Sequence, residues 1–454
     1  MKKLALVLIL VTITYSASAF TPPDSTNTIF EKGTAAYIIG EGKNLYNEGA
    51  YTMALAKFRN ALEKDKNNAE ATYWIAECHF ALRNYDKAID NGEKARELDK
   101  EVSNELPYLL GSSYHRTGEL DKALENFAML KTLLSKTRYK ELDVDFRIAE
   151  VERAKTMMAS PVKVNITALG MHVNSPQDEY SLVYSSNRRA MYFTSRRSDN
   201  NGGGVSSGDS KYFSDIYVCL WDTVNNKWGE ASNDLDINRR LNSYGFDGVA
   251  HITVDGGMML LTINTMGLKS PKPKTRHTDI FYSKFSTKGT WTKPKPMPKP
   301  INSVFFDAAP CFNGDETAIY FISERPGGMG MSDIYVCEKE GKEWGKAQNI
   351  EIINTKGQET TVYVTPDESM LFFSSTGHEG MGGYDIYVSK NVDGNWSEPK
   401  NLGYPINTVS DETHFRLYED LGKAYFSTFS SEANGGKGGR DIFEIDLDGY
   451  TWPE

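Results

Sequence analysis

The sequence predicts two domains of different class, an all-helical repeat domain followed by an all-β propeller. Small residues recur at Ala54, Ala88 and Ala123, and spacings of 34 and 35 residues are typical of helical-hairpin repeats. A strand phrase beginning on an aspartate recurs at spacings of 52 to 64 residues, which fits four-stranded propeller blades. Its five copies predict five blades, with six left open as the alternative. The phrase begins at Asp215, Asp279, Asp333, Asp385 and Asp441.

The first residues have the pattern of a cleavable signal peptide, residues 1–19. Two lysines precede an apolar run, and Ala17-Ser18-Ala19 supplies the small residues that signal peptidase accepts. The mature chain is expected to begin at Phe20, with residues 20–33 as a polar, flexible leader. No cysteine lies at the cleavage point, so a lipid anchor is not expected. We expect an exported, periplasmic protein, with association with the outer membrane as an option.

Composition and charge restrict the class of partner. The chain has 454 residues, 39% of them hydrophobic and 25% charged, which is normal for globular domains and enough for two cores. With a formal net charge of −10, the chain is a poor candidate for binding nucleic acid, whose phosphates need a basic face. No stretch after the signal peptide approaches the roughly 20 apolar residues of a membrane-spanning helix. Cysteines without paired spacing are expected to be buried free thiols; they are Cys78, Cys219, Cys311 and Cys337.

Residues 34–158 are predicted to form three tetratricopeptide repeats and a capping helix. The small residues at Gly42 and Ala54 recur twice more at the repeat spacing, and Phe58 recurs once, at Phe127. Small residues at such offsets let paired helices approach closely. A further helix, from about residue 138 to 157, is expected to cap the last repeat. The first helix of each pair should line a groove for a peptide or an envelope protein. The residues predicted to face this groove are Ile39, Lys43, Tyr46, Asn47, Tyr73, Glu77, Phe80, Tyr108, Ser112, His115 and Arg116.

Residues 162–454 have a periodicity of two and are predicted to form the propeller. The clearest repeat, residues 358–408, has an inner strand, a Pro366-Asp367 turn and further strands. Residues 162–175 carry the ending of a repeat without its beginning. Strand 162–167 is therefore predicted to complete the last blade and close the ring, which removes a free sheet edge. The repeat endings are predicted at Asn174, Asn238, Asn302, Asn354 and Asn407.

These strand phrases and the Pro366-Asp367 turn resemble the TolB-type β-propeller repeats that are called PD40 repeats. With the helical repeats and the signal peptide, their order over residues 34–454 resembles the N-terminal two-thirds of PorE-type proteins of the Gram-negative envelope. The resemblance implies an envelope location and association with an outer-membrane or type IX secretion assembly. An OmpA-like peptidoglycan-binding domain usually follows in that family. The resemblance does not include that domain, so peptidoglycan binding is not expected of these residues.

Catalytic, metal and cofactor sites are not predicted. The segment Gly204-Val205-Ser206-Ser207-Gly208 fits the nucleophile pattern of serine hydrolases, but it lies in a loop without the required strand and helix. The repeat aspartates are expected to accept backbone hydrogen bonds from their glycine loops, because a catalytic pair needs residues that differ from their equivalents. A second acidic set, which precedes the inner strands, would be the place for a bound cation. Its members are Asp247, Asp307, Glu359 and Asp411.

The expected function is therefore that of a non-enzymatic scaffold for protein interaction. The helical repeats would hold a partner segment, and the propeller would offer a second rigid platform. The alternative is a propeller hydrolase that acts on glycans or peptides, which would require non-repeated polar residues at the channel. Blade two also carries two basic, proline-rich stretches, residues 269–277 and 293–299, which would suit an anionic partner.

Overall fold

The computed structural model describes residues 24–206, 208–264, 278–429 and 434–453, with side chains from Gly33 onward. The predicted signal peptide and the basic stretch 269–277 lie outside these ranges. A helical domain is followed by a propeller, which confirms the predicted order of the two classes. The helices are α1 (Asp24–Asn47), α2 (Tyr51–Lys64), α3 (Ala69–Ala81), α4 (Tyr85–Leu98), α5 (Leu106–Arg116), α6 (Leu120–Leu133), α7 (Lys136–Glu141) and α8 (Val144–Ala159).

Close approach of paired helices explains the small residues of the helical repeats. The three repeated alanines are fully buried. A Cβ atom on Gly42 would lie 2.6 Å from the ring of Phe58, and one on Gly111 would lie 2.9 Å from the ring of Phe127. Because interiors are close-packed, only glycine leaves room for the phenylalanine of the paired helix at these positions.

Helix α1 spans Asp24–Asn47, so the described part of the predicted leader 20–33 lies in a helix. The later part of α1 packs on α2, so adding turns at its N-terminal end needs no new nucleation step. These turns can therefore be helical without an amphipathic pattern. The boundary of the leader was predicted from periodicity alone.

The cap consists of two helices instead of the single helix predicted from about residue 138 to 157. Asp143 separates α7 from α8 and has a φ of 48°, a left-handed conformation that aspartate tolerates better than most residues. The break lets α8 bury Val151 and Ala154 in the helical core. The apolar spacing over both helices resembles that of one continuous helix, so periodicity did not reveal the break.

The propeller has five antiparallel blades; four are built from consecutive strands, and the last also includes the first strand of the propeller. Blade one has β2 (Glu179–Ser185), β3 (Ala190–Ser195), β4 (Asp215–Asp222) and β5 (Lys227–Trp228), and β1 (Asn165–Ala168) precedes it. Blade two has β6 (Phe246–Ile252), β7 (Met258–Asn264), β8 (Thr278–Lys284) and β9 (Lys295–Pro296). Blade three has β10 (Asp307–Phe312), β11 (Ala318–Ser323), β12 (Asp333–Glu340), β13 (Glu343–Trp344) and β14 (Gln348–Asn349). Blade four has β15 (Glu359–Val364), β16 (Met370–Ser375), β17 (Asp385–Val392), β18 (Asn395–Trp396) and β19 (Lys400–Asn401), and blade five has β20 (Thr413–Tyr418), β21 (Lys423–Phe429) and β22 (Arg440–Asp446).

The ring is closed by β1, which corresponds to the strand predicted over residues 162–167. It pairs with β22 of blade five and places Ile166 opposite Ile445. Blade five therefore combines the end of the propeller sequence with its beginning, and its outer edge is paired instead of exposed.

Aromatic rings fill the spaces between neighbouring blades. Phe372 of blade four stacks on Phe415 of blade five with ring centroids 4.5 Å apart, and Trp452 lies 5.0 Å from Phe372. In the part of the chain that the structure describes, no helix is both long and apolar enough to cross a membrane.

Candidate interaction site at the junction of the two domains

The aspartate at the start of each third strand binds its own glycine loop. Asp385 accepts hydrogen bonds from the backbone N–H groups of Met381 and Gly382, at 2.9 and 3.2 Å. The loop before Asp279 lies outside the described residues. Carboxylates so engaged orient a loop, which is a structural role shared by the repeats. The equivalent bonds are accepted by Asp215, Asp333 and Asp441.

An asparagine from the following turn binds the isoleucine after each repeat aspartate. Ile386 N–H donates to Asn407 Oδ1, and Asn407 Nδ2 donates to the Ile386 carbonyl, both at 2.8 Å. In blade one the partner that makes both bonds to Ile216 is Asn242. The predicted Asn238 donates to the Ile216 carbonyl but does not accept from the Ile216 N–H, because the turn after blade one is longer than the others. The remaining pairs are Asn302 with Ile280, Asn354 with Ile334 and Asn174 with Ile442.

The serine or threonine after this asparagine binds the acid that begins the next inner strand. Ser243 donates to Asp247 from its backbone N–H and its Oγ, at 2.6 and 2.8 Å. The assignment of Asp411 to this acidic set is wrong, because Thr408 binds the neighbouring residue, Glu412, in this way. Each turn thus ties one blade to the next through its asparagine and its hydroxyl. The other pairs are Ser175 with Glu179, Ser303 with Asp307 and Thr355 with Glu359.

Asp247 makes the stability of the propeller depend on pH. Burial raises the pKa of Asp247 to about 7, against the opposing effect of the bonds from Ser243. Since the unfolded carboxyl ionises near pH 4, the native chain binds the extra proton, and stability falls as the pH rises from about 4 to 7. We expect Asp247→Asn to remove this loss, which amounts to about 2 kcal/mol between pH 5 and 8.

Urea unfolding at pH 5 and at pH 8, monitored by tryptophan fluorescence, measures how much the free energy of unfolding changes with pH in each variant. Asp255→Asn is the matched control. Asp255 is exposed, and a hydrogen bond from Thr253 lowers its pKa. Its contribution to the free energy of unfolding therefore changes only in more acidic solution. Equal pH slopes for wild type and Asp247→Asn would contradict the assignment.

The junction between the domains is centred on Asp411, which is 1% exposed. Arg116 at the end of α5 donates from Nη1 to Asp411 Oδ1 at 3.1 Å, and Arg83 from the turn after α3 pairs with Oδ2. Arg440 of the propeller lies 3.9 Å from the same carboxylate. Two cations of the helical domain therefore share one buried anion of the propeller, an arrangement whose loss leaves uncompensated charge.

The loop before β17 supplies the rest of the junction. His115 Nε2 donates to the Met381 carbonyl at 2.9 Å, and Arg153 Nε donates to the Gly380 carbonyl at 3.0 Å. Burial lowers the pKa of His115 to about 3, so the ring is neutral and has one N–H to donate. Met381 is fully buried and packs in the helical core. Apolar packing and directed hydrogen bonds thus join the two domains.

The predicted groove residues do not form one free surface. Ile39 and Tyr73 are buried in the helical core, because their helix faces turn toward the paired helices. His115 and Arg116 contact the propeller, which covers the end of α5. Among the predicted residues only Asn47 is exposed. The others are half-buried and, together with Asn47, are here called the open groove: Lys43, Tyr46, Glu77, Phe80, Tyr108 and Ser112.

A carboxylate between two tyrosines is the main polar feature of the open groove. Tyr73 Oη donates to Glu77 at 2.5 Å, and Tyr46 Oη donates to it at 3.4 Å. Burial raises the pKa of Glu77. Lys43 pairs with Glu70 and lies 5.3 Å from the ring centroid of Trp74. Aromatic surface interleaved with hydrogen-bonding groups is the chemistry that peptide grooves use.

Sequence reasoning did not identify Arg83, Arg153 and Met381 as junction residues, and it gave Asp411 the wrong role. A signal for Asp411 was present, since an acid directly before the repeated acid occurs only in Asp178-Glu179 and Asp411-Glu412. In the described ranges no cluster of three or more His, Cys, Asp or Glu residues could hold a metal ion. The four cysteines are buried free thiols.

Residues 45–91, from the end of α1 into α4, match the tetratricopeptide repeat family. No curated protein matches the chain. Among solved structures, 27% of the chain is similar to 95% of the Yersinia enterocolitica type III secretion chaperone SycD with a peptide of the translocator YopD, at 21% identity and a TM-score of 0.25. PcrH from Pseudomonas aeruginosa is similar over 26% of this chain and 92% of its own, at 19% identity and a TM-score of 0.24. The second tetratricopeptide domain of Spaghetti, bound to an HSP90 peptide, matches over 24% of this chain and 99% of its own at 20% identity and a TM-score of 0.23.

Proposed function

We propose that the chain is a non-enzymatic scaffold of the cell envelope that holds a partner segment at a fixed orientation to the propeller. The observation that carries the proposal is the junction at Asp411, where one buried carboxylate binds arginines of the other domain. Interdomain contacts that combine buried ion pairs with apolar packing restrict hinge motion. A rigid joint of this kind is useful to a protein that positions two partners relative to each other.

The open groove supports the binding of an extended peptide segment. Tyr46 and Glu77 offer a hydroxyl and a carboxyl in adjacent positions, and Lys43 adds a cation on the same face. A peptide backbone or a basic side chain would complement Glu77, while aromatic rings would contact apolar side chains.

The state of the polar residues supports a scaffold over a hydrolase. Ser206 lies in a loop in which Val205 bridges Tyr212, not between a strand and a helix. Cys311 Sγ lies 3.5 Å from His251 Nδ1, but burial raises the pKa of Cys311 and lowers that of His251 to about 3. These directions favour a neutral thiol and a neutral imidazole, whereas nucleophilic cysteine requires a thiolate.

The proposal includes export through residues 1–19 to the periplasm and association with an outer-membrane or type IX secretion assembly, as the PD40 and PorE-type resemblance implies. Three exposed lysines at the edge of blade two support an additional anionic partner; they are Lys293, Lys295 and Lys299. Expression in a Gram-negative host followed by N-terminal sequencing tests export, and a mature chain beginning at Phe20 is expected.

Mutation of the open groove tests partner binding. We expect Lys43→Glu combined with Asn47→Arg and Ser112→Arg to reduce partner capture about tenfold, because it reverses one charge and crowds the surface. Quantitative cross-linking in envelope extract measures the captured partners. Met53→Ser with Met129→Ser is the control, since both side chains are exposed on α2 and α6, the second helices of their pairs. Identical capture by both variants would exclude the groove, and product release from glycans or peptides would exclude the scaffold.

A further inference from the structure

The inner strands of the propeller keep some positions of the repeat and vary others. The acids, hydroxyls and asparagines that join the blades are equivalent from blade to blade, as packing requires. The position four residues after each repeated acid instead carries a different residue type in every blade. A position that the fold leaves free to vary in this way is a place where function can be built. From blade one to blade five the residues are Val183, His251, Cys311, Tyr363 and Arg416.

Arg416 is a buried cation without a counterion. It is 4% exposed and lies 5.1 Å from the centroid of the Tyr363 ring. Its Nη atoms donate to backbone carbonyls of Val362, Phe415 and Ala250, at 3.1, 3.1 and 2.5 Å, while its buried Nε–H has no partner. Within the described part of the chain, no carboxylate lies within 4.0 Å of the guanidinium. Carbonyl dipoles offset only part of the cost of burying the charge.

Arg416 lies where two cavities of the channel meet. A cavity of about 330 Å³ runs inward from the exposed residues Glu419 and Asp420 and ends on Arg416. A second cavity of about 250 Å³ reaches Arg416 from the other end of the channel. The first volume is that of a small-molecule site. Hydroxyl, imidazole and amide groups that line it include Thr253, Thr365, Tyr418, His251 and Asn313.

We propose that the channel binds a small organic anion whose single carboxylate or phosphate group pairs with Arg416. The guanidinium matches the geometry of either group, and the unpartnered Nε–H supplies a donor. The two acids at the rim, Glu419 and Asp420, select for low charge because they repel polyanions at the entrance. The tyrosine rings and hydroxyls along the cavity contact the uncharged part of the ligand. This site is separate from the open groove.

Calorimetric titration of the full mature chain at constant ionic strength tests the proposal. The probes are N-acetylglycine for a carboxylate and dimethyl phosphate for a phosphate, with N-acetylglycinamide as the neutral analogue and citrate as the polyanion. We expect one anion to bind with a single site, the amide not to bind and citrate to bind more weakly. Arg416→Gln should weaken binding about tenfold or more. Arg239→Gln, which changes an exposed arginine of the propeller, should not weaken it.

A soak of wild-type crystals in bromide provides a test that does not depend on ligand shape or on the folding of a variant. An anomalous peak beside Nε of Arg416 is expected. The proposal is overturned if bromide does not occupy this place, or if the Arg416→Gln protein folds and binds the anionic probe as tightly as wild type. A preference for N-acetylglycine or for dimethyl phosphate identifies the ligand class. Neither result depends on partner capture by the helical domain.

Discussion

Asp411→Asn is expected to separate the unfolding of the helical domain from that of the propeller. The substitution leaves the half-buried Arg116 and Arg440 without their shared anion. Removing one partner of a buried ion pair costs about 3 to 5 kcal/mol. Arg83 contributes little of this, because its side chain is 41% exposed and its pairing is screened by solvent. The loss should appear as weaker coupling between domains, not as a change in either core.

Two optical signals distinguish the domains in this experiment. Six of the seven tryptophans lie in the propeller sequence, so fluorescence follows the propeller, while far-ultraviolet circular dichroism follows the helices. We expect coincident transitions in wild type and separate transitions in Asp411→Asn. Asp236→Asn is the control, since Asp236 is 82% exposed and pairs with Arg239 on the surface, where such pairs contribute about 0 to 1 kcal/mol. Coincident transitions in Asp411→Asn would show that the junction does not couple the domains.

Asn174→Ala is expected to weaken the closure of the propeller ring by about 2 to 4 kcal/mol. Asn174 binds both the N–H and the carbonyl of Ile442 at 2.9 Å, and each buried group left unpaired costs about 1 to 3 kcal/mol. The chain does not run from β22 into β2, so non-covalent contacts hold the two ends of the ring together. They include the pairing of β1 with β22, the bonds of Asn174 and the bond from Tyr184 N–H to Tyr418 Oη at 2.7 Å. The effect should therefore reach the paired strand β22 as well.

Hydrogen exchange of the amides in β1 and β22 measures ring opening, and urea unfolding measures the total cost. Asn354→Ala removes the same two bonds, at 2.8 and 2.9 Å, from Ile334, but there the chain itself connects the neighbouring blades. We expect faster exchange in β1 and β22 only for Asn174→Ala. If the amides of β1 and β22 exchange equally fast in both variants, Asn174 does not stabilise the closure of the ring.

Repetition made the propeller predictable from the amino-acid sequence. The strand after each repeat aspartate, the turn at Pro366-Asp367 and the orphan strand before Asn174 could be placed because turn chemistry and alternation are local properties that recur in each blade. The helical pairs were predictable for the same reason, since Gly42 and Gly111 meet equivalent phenylalanine rings. A boundary without a repeated signal, such as the break at Asp143, was not predictable in this way.

The candidate sites depend on residues that meet only after folding. Arg83 and Asp411 are 328 positions apart. An acid directly before the repeated acid marks Asp411, but no local pattern shows that its partners are arginines of the helical domain. The residues around Arg416 come together only when the inner strands of different blades are placed around a common channel. Local periodicity therefore decided the architecture, while long-range contacts decided which part of the groove stays open, where the domains join and which charge stays unpaired.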